Sequence, residues 1–195
     1  MTVDFGELKR LTPTHVLAVT SRADTPVVGR REYTLHPVHS LVLLSQCGLL
    51  PPFPPSPFVP PEQQTAKLPV VCVGVPHPPS FTALLTYLYS KDASKLVEGV
   101  LWMVPPPNLF EDRSLALHLA ILMSRRFSTV ELVGYANTIR GLYLNVCAFS
   151  IDHGPLWAAM QTLWDICFIA ISVSTRQPSA VAWLQSITSG GASTK

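Results

Sequence analysis

Cysteine and histidine are the residues of this chain whose types could support nucleophilic chemistry. Cys147 could act as a nucleophile with His118 or His153 as its base, but the pattern around it predicts a helix of mostly apolar residues. Apolar surroundings raise the pKa of a thiol and lower its reactivity. The sequence also contains no G-x-S-x-G, H-E-x-x-H, P-loop or G-x-G-x-x-G motif. We therefore predict no catalytic residue, no cofactor and no enzymatic activity.

Metal binding is the second chemistry that these residue types suggest. His36 and His39 form a His-Pro-Val-His motif, but a tetrahedral site needs four ligands and no second cluster supplies the others. We therefore predict no metal site. We expect instead a histidine at the end of a strand whose side chain hydrogen-bonds to the backbone. No C-x-x-C pair occurs among the four cysteines, which are predicted to be buried thiols in a reducing compartment: Cys47, Cys72, Cys147 and Cys167.

A proline-rich segment is the strongest candidate for binding a partner. Pro51–Pro61 contains seven prolines in eleven residues, which predicts a solvent-facing polyproline II conformation. No basic residue lies beside these prolines, whereas an SH3 ligand needs one. The sequence is close to that of an EVH1 ligand, except that Ser56 occupies a position where an apolar residue is expected. The candidate partner-binding residues are Phe53, Pro54, Pro55, Pro57 and Phe58. The alternative is a plain rigid surface loop, whose excision should leave the melting temperature almost unchanged.

Composition favours a binding protein. Of the 195 residues, 48% are hydrophobic and 13% charged, against about 25% charged in ordinary globular chains. Such a surface should expose apolar patches, so we expect self-association or a protein partner. The net charge is +2 and the basic pairs are scattered, which argues against direct nucleic-acid binding. The N-terminus lacks the apolar core of a signal peptide, so we expect an intracellular protein, nuclear or cytoplasmic.

The N-terminal half is predicted to form a small sheet and two helices. Residues 15–20 and 31–35 should pair as a hairpin, residues 38–47 should form a short helix, and Leu68–Val75 reads as a buried strand. The helix from Ser80 to Tyr89 follows, with Ser80 as its N-cap. Its apolar residues recur at i, i+3, i+4 and i+7, which predicts one buried stripe: Phe81, Leu84, Leu85 and Leu88.

The C-terminal half is predicted to be helical. A capping box at Ser128–Glu131 separates two helices, Gly154-Pro155 starts a third, and residues 177–187 should form a last short helix. The expected buried stripes are Leu115, Leu119, Leu122 and Met123; Leu132, Ala136, Ile139, Tyr143 and Val146; and Leu156, Met160, Leu163, Cys167 and Ile171. Leu156–Val173 is apolar enough to suggest a membrane span, but Gln161 and Asp165 in its middle favour a core helix. We expect no membrane association.

Two motifs resemble the BTB/POZ family. Tyr33–Ser45 resembles its aromatic-x-small-His-Lys-x-x-Leu-x-x-x-Ser signature, with Pro37 in place of the basic residue, and Ser80–Tyr89 resembles its second landmark. The resemblance implies an α+β fold with about three strands packed by helices and a helical C-terminal half. The expected organisation is an arm at 1–11, one BTB/POZ-like domain at 12–187 with the proline-rich insertion at 51–67, and a flexible tail at 188–195.

A narrower resemblance is to the clampless proteins of mushroom-forming fungi. The residues that carry it are His36–Ser40, the proline-rich insertion, Phe81–Tyr89 and Leu96–Trp102. Members of that family regulate sexual development and are needed to form clamp cells in the dikaryon. The resemblance implies a regulator that acts through protein partners such as transcription factors. The alternative, implied by the BTB/POZ likeness, is a substrate adaptor for a cullin ubiquitin ligase.

Overall fold

A computed structural model of the chain describes residues 13–22, 32–56 and 67–175. The predicted N-terminal arm, the later part of the proline-rich insertion, the predicted helix at 177–187 and the tail lie outside these residues. The described chain contains three strands, β1 (His15–Ser21), β2 (Thr34–Val38) and β3 (Val70–Val75). Its helices are α1 (Ser40–Leu44), α2 (Pro78–Ser90), α3 (Ala93–Leu101), α4 (Arg113–Arg126), α5 (Thr129–Ala148) and α6 (Gly154–Ser174). The predicted α+β class with a helical C-terminal half is confirmed.

The sheet is organised around β1, which lies between the other two strands. β2 pairs with it antiparallel, as the predicted hairpin requires, and β3 pairs with it parallel. β2 begins three residues later than the sequence indicated and runs through Pro37, which lies opposite Val16. A proline is tolerated there because β2 is an edge strand, whose outward positions need no ladder hydrogen bond.

The two motifs that prompted the BTB/POZ comparison contact each other. The ring of His36 packs edge-on against Phe81, with centroids 5.3 Å apart. The backbone N–H of His39 donates to the Tyr89 hydroxyl at 2.7 Å. The two histidines of the His-Pro-Val-His motif therefore contact different residues of α2. Among the residues that the structure describes, no group of three or more His, Cys, Asp or Glu side chains could hold a metal ion.

The central stripe of α2 is buried as predicted. Phe81, Leu84 and Leu88 are almost completely inaccessible, and Leu85 is nearly so. The predicted N-cap is wrong by three residues, because the helix begins at Pro78 and His77 caps it. The Nδ1 atom of His77 accepts from the Ser80 N–H at 3.3 Å. Prolines at the first two helical positions carry no N–H, so a cap here has fewer free donors to satisfy.

The long helices pack against one another: α4 and α5 against α6, and α2 against α3 and α5. The buried stripe of α6 is as predicted, except that Ile171 is partly exposed. Leu115 on α4 and Ala136 on α5 are likewise partly exposed, and two further assignments were wrong. Leu122 on α4 is 46% exposed, and the smaller Ala116 and Ala120 lie buried instead. Tyr143 on α5 is 49% exposed, and the neighbouring Leu142 is buried in its place.

A buried polar junction joins α5 to the turn before α2. The Asn145 side chain is fully buried; its Oδ1 accepts from the His77 N–H at 3.0 Å and its Nδ2 donates to the His77 carbonyl at 2.8 Å. The same Nδ2 also lies 3.1 Å from the Ser80 hydroxyl. Burial lowers the pKa of His77, which favours the neutral ring that an accepting Nδ1 requires. The backbone N–H and carbonyl of His77 and both polar atoms of the Asn145 side chain therefore have partners.

A glycine permits the close approach at this junction. A Cβ added to Gly141 would lie 2.2 Å from the Cγ of His77, closer than real contacts allow. The other glycine of α5, Gly134, faces open space, with nothing within 4 Å of an added Cβ. The two positions lie on the same helix and differ in what they face. They therefore form a matched pair for measuring the packing at the junction.

We predict that Gly141→Ala and Gly134→Ala shift stability in opposite directions. Gly141→Ala forces the His77 ring away and should destabilise the fold by about 1–3 kcal/mol, the usual cost of overpacking. Gly134→Ala should stabilise it by about 0.5–1 kcal/mol, because alanine favours a helix interior over glycine. Chemical denaturation of both variants measures the difference. Equal free energies of unfolding would contradict the packing of Gly141 against His77.

Candidate partner-binding surface

The structure places the first part of the proline-rich segment against the body of the protein. Phe53 is half-buried and packs against the core, while Pro54 and Pro55 are exposed. Pro57 and Phe58, the other two predicted partner-binding residues, lie outside the described residues. The expectation of a wholly solvent-facing segment is therefore wrong at Phe53, whereas its use as a docking motif stays a prediction.

His15 attaches this segment to β1. Its ring meets Phe53 edge-on at 4.9 Å, and its Nε2 lies 2.8 Å from the Pro54 carbonyl oxygen. A carbonyl only accepts, so Nε2 carries a proton, and Nδ1 lies 2.9 Å from the Thr14 hydroxyl oxygen. The Ser56 hydroxyl adds a bond to the Thr14 carbonyl at 2.7 Å. Residues 53–56 of the segment are thus held against the body of the protein.

The proposed nucleophile is placed differently from the expectation. Cys147 is exposed on α5, as is Cys72 on β3, so the prediction of four buried thiols is wrong for these two. Cys147 hydrogen-bonds to Tyr143, and that bond raises the pKa of the tyrosine. Of the two candidate bases, His153 is engaged elsewhere: its Nδ1 lies 2.9 Å from the Tyr87 hydroxyl. The pKa of His153 is lowered, and burial is the main cause.

A polar cleft of about 310 Å³ lies between the end of α1 and the α5–α6 loop. Its walls include Cys47, Lys91 and His153. Burial raises the pKa of the Cys47 thiol to about 11, so the thiolate that a nucleophile requires is scarce at neutral pH. Lys91 donates to the side-chain oxygen of Gln46. Lys91 and His153 thus already bond to side chains of the protein itself, Gln46 and Tyr87 respectively.

A second concave surface is an aromatic groove between α5 and α6, with a volume of about 280 Å³. Tyr143 and Trp157 of its lining meet edge-on, with ring centroids 5.6 Å apart. Trp164, 43% exposed, forms the far end. The remaining lining residues are Ile139, Arg140, Met160 and Gln161. Among the described residues of this lining, Arg140 is the one that carries a charge.

Sequence reasoning missed this groove although a signal was present. Trp157 and Trp164 are seven residues apart, which places them two turns apart on one side of α6 and off its buried stripe. Tyr143 was assigned to the buried face because its ring suits either environment. Recognising the groove requires knowing that Tyr143 lies beside Trp157. That placement follows from the antiparallel packing of α5 and α6.

The helix α6 (Gly154–Ser174) is the one described helix that is long and apolar enough, by length and composition, to cross a bilayer. Half of its most apolar 18-residue window is buried inside the protein. Gln161 and Asp165, in its middle, bond to each other at 2.9 Å. The packing of α6 against α4 and α5 is that of a core helix.

We predict that Phe53→Ala destabilises the protein. Losing a half-buried phenyl ring should cost about 1–2 kcal/mol, which lowers the melting temperature by about 3–6 °C in a domain of this size. For the same reason, excising Pro51–Pro61 should now lower the melting temperature. Leu49→Ala is the matched control, because that side chain is 61% exposed just before the segment. Equal melting temperatures for Phe53→Ala and Leu49→Ala would show that Phe53 does not pack.

We also predict that a thiol reagent at pH 8 modifies Cys72 and Cys147 rapidly and leaves Cys47 and Cys167 unmodified. Burial raises the pKa values of the latter two to about 11 and about 12. Roughly one Cys47 in a thousand would then be thiolate at pH 8. Mass spectrometry of the native protein should find two modified sites, and the unfolded protein should show four. Rapid native labelling of Cys167 would contradict the burial of α6.

Comparison with known proteins identifies two consecutive matches. Residues 2–76 match the family model described as the N-terminal domain of Clampless protein 1, and residues 94–189 match the one described as its C-terminal domain. No curated protein and no solved structure matches the chain. The matches support the narrower of the two resemblances and give no support to the BTB/POZ likeness. The chain therefore belongs to the clampless protein family, which indicates a role in clamp formation and sexual development in fungi.

Proposed function

We propose that this protein regulates fungal sexual development by binding protein partners, transcription factors among them, at the aromatic groove between α5 and α6. It acts in the nucleus or the cytoplasm as a binding protein rather than an enzyme. Family membership supports the developmental role. The groove, which exposes three aromatic side chains beside one arginine, is the observation that carries the binding role.

The composition of the groove matches that of protein-binding hot spots. Tryptophan, tyrosine and arginine are the residues most enriched where truncation costs binding energy. Tyr143, Trp157 and Trp164 offer rigid rings, and Arg140 at the rim offers a charged donor. A partner would insert an apolar side chain between the rings. Its surface and the surfaces of the rings would then be removed from water, which supplies binding free energy.

The chemistry of the lining also favours binding over catalysis. General acid–base catalysis needs titratable groups held within hydrogen-bond reach of a substrate. The groove lining contains no carboxylate and no histidine among the residues described. Cys147 is one turn from Tyr143 but does not line the groove. We therefore assign the groove to recognition.

We predict that Tyr143→Ala and Trp164→Ala each weaken transcription-factor binding. Loss of a hot-spot ring costs roughly 2 kcal/mol or more, about thirtyfold in Kd. Affinity purification from the dikaryon identifies the partner, and titration of the purified pair gives the affinities. Trp102→Ala is the matched control, because Trp102 is 85% exposed and does not line the groove. Complementation of clamp formation by the same variants links the binding to development.

Three results would contradict the proposal. The groove variants could bind the factor as tightly as Trp102→Ala does. The wild-type protein could co-purify with no transcription factor. A cullin could be the main co-purifying protein, which would favour the adaptor function that the BTB/POZ likeness implies. Light scattering of the purified chain tests self-association separately, since a single chain has a mass of 21.3 kDa.

A further inference from the structure

Arg140 distinguishes the aromatic groove from a purely apolar one. The side chains of Ile139 and Met160, 2% and 4% exposed, form the floor of the groove, and Arg140 is exposed beside them. The rings of Tyr143 and Trp157 belong to the same lining. A partner that packs on this floor and against these rings therefore removes water from a charged side chain.

The other charged groups of these two helices already have partners. The helices α5 and α6 contain three charged side chains, which are Glu131, Arg140 and Asp165. Glu131 accepts from the Ser128 N–H at 2.7 Å, and Asp165 accepts from the Gln161 side-chain amide at 2.9 Å. Arg140 forms no hydrogen bond or ion pair within the part of the chain that the structure describes. Its guanidinium is therefore the charge that a bound partner has to satisfy.

The chemistry of a guanidinium decides which group of the partner suits it. Covering a charge that has no partner is unfavourable, so the surface that closes over the groove needs an acceptor at this place. A carboxylate accepts two parallel N–H···O bonds from arginine, and these charge-assisted bonds are stronger than bonds to a neutral amide or carbonyl. The groove is therefore complementary to an apolar segment that carries a carboxylate.

The packing of α5 against α6 fixes where along the groove this carboxylate must lie. The Tyr143–Trp157 ring contact joins the two helices near one end, and the hydroxyls of Thr129 and Ser174, 2.8 Å apart, join them at the other. The helices therefore run antiparallel. A step of three residues toward the start of α5 thus corresponds to a step of three residues toward the end of α6.

Arg140 lies about midway between the two tryptophans of the groove. Three residues along each helix from the ring contact lead to Arg140 on α5 and to Met160 on α6. Seven residues separate Trp157 from Trp164, which is about 10.5 Å along the helix axis. A partner helix has the same spacing between its positions i and i+7, and its positions i+3 and i+4 lie between them on the same face.

We infer that the groove binds an amphipathic helical segment of a partner protein, with apolar side chains at i and i+7 and an aspartate or glutamate at i+3 or i+4. The apolar side chains pack against the aromatic rings at the two ends of the groove, and the carboxylate pairs with Arg140. Asp165 follows Trp164 in the chain, so its charge disfavours a further carboxylate at that end.

The inference names the kind of segment that the proposed partner would supply. Alternation of acidic and apolar residues is typical of the activation domains of transcription factors. Single-stranded nucleic acid suits the groove less well, because it requires positive charge along its whole backbone and this lining offers one cation. The inference rests on the proposed function, since it takes the groove to be a binding surface.

Fluorescence anisotropy with labelled synthetic peptides tests this selectivity. The acidic peptide has about 15 residues, phenylalanine at i and i+7, and glutamate at i+3 and i+4. One control has glutamine at i+3 and i+4, and a second moves the two glutamates to i+2 and i+5, on the opposite face of the helix. The acidic peptide should bind at least about fivefold more tightly than either control. This advantage should shrink in about 0.5 M salt, which screens exposed charges.

Variants of the protein assign the selectivity to one residue. Arg140→Gln should bind the acidic peptide only as tightly as the glutamine peptide, and its affinity for the glutamine peptide should match that of the wild type. Arg125→Gln is the matched control, because Arg125 is exposed at the end of α4 and does not line the groove. Tyr143→Ala should weaken binding of the acidic and glutamine peptides alike. Thermal melts monitored by circular dichroism report whether each variant is folded.

Four results would overturn the inference. The acidic and glutamine peptides could bind equally and both lose affinity in Tyr143→Ala, which would retain the groove as a binding surface without the acidic preference. The preference could survive Arg140→Gln. An oligothymidine could compete more strongly than the acidic peptide, which would assign Arg140 to phosphates. Finally, none of the peptides could bind, while the titration with the transcription factor decides the proposed function separately.

Discussion

The hydrogen bonds between Asn145 and the backbone of His77 are the interaction on which the rest of the structure depends. His77 lies in the turn between β3 and α2, and its N–H and carbonyl are both satisfied by this one buried side chain. It also lies between the two stretches that match the family's domains, which end at residue 76 and begin at residue 94. Asn145 belongs to the stretch that matches the C-terminal domain. Its side chain thus completes the backbone hydrogen bonding of His77, directly after the stretch that matches the N-terminal domain.

The junction also sets the orientation of α5. Gly141 and Asn145 are one turn apart and both face His77. Tyr143 lies about 160–200° around the helix from each of them, because successive residues are about 100° apart. Fixing the inner face against His77 therefore turns Tyr143 outward beside Trp157. The aromatic groove follows from a buried polar contact on the opposite side of the same helix.

Much of the fold could be predicted from the sequence because apolar periodicity is a strong local signal. The stripe of α2 and the α5 capping box follow from residue types and spacing alone. The prediction of a buried strand holds for only one face of β3, where Val71, Val73 and Val75 are buried, since Val70 and Cys72 on the other face are exposed. Tyr143 and Leu122 were misplaced because periodicity identifies a face without showing what covers it. The cap at His77 was missed because Ser80 is the commoner capping residue type.

The candidate site could not be predicted in the same way. Its walls come from two helices, and the sequence does not give the distance between them. Trp157 and Trp164 could be placed on one side of α6, but the pairing of Trp157 with Tyr143 depends on the short α5–α6 connection and on the junction at His77. The inward packing of Phe53 likewise depends on His15, 38 residues earlier in the chain. Conversely, the assignment to the clampless family came from motifs that the comparisons then supported.

The most direct test of this account is urea unfolding of Asn145→Ala beside Asn137→Ala, an exposed asparagine on the same helix. Circular dichroism follows the strands and helices together, and tryptophan fluorescence follows the C-terminal half, which contains all four tryptophans. One coincident transition is expected in the wild-type protein. Asn145→Ala should lower the free energy of unfolding by about 2–4 kcal/mol, since two backbone groups of His77 lose their partner. Asn137→Ala should change it little. Equal stabilities for the two variants, or separate transitions for the two probes in the wild type, would contradict it.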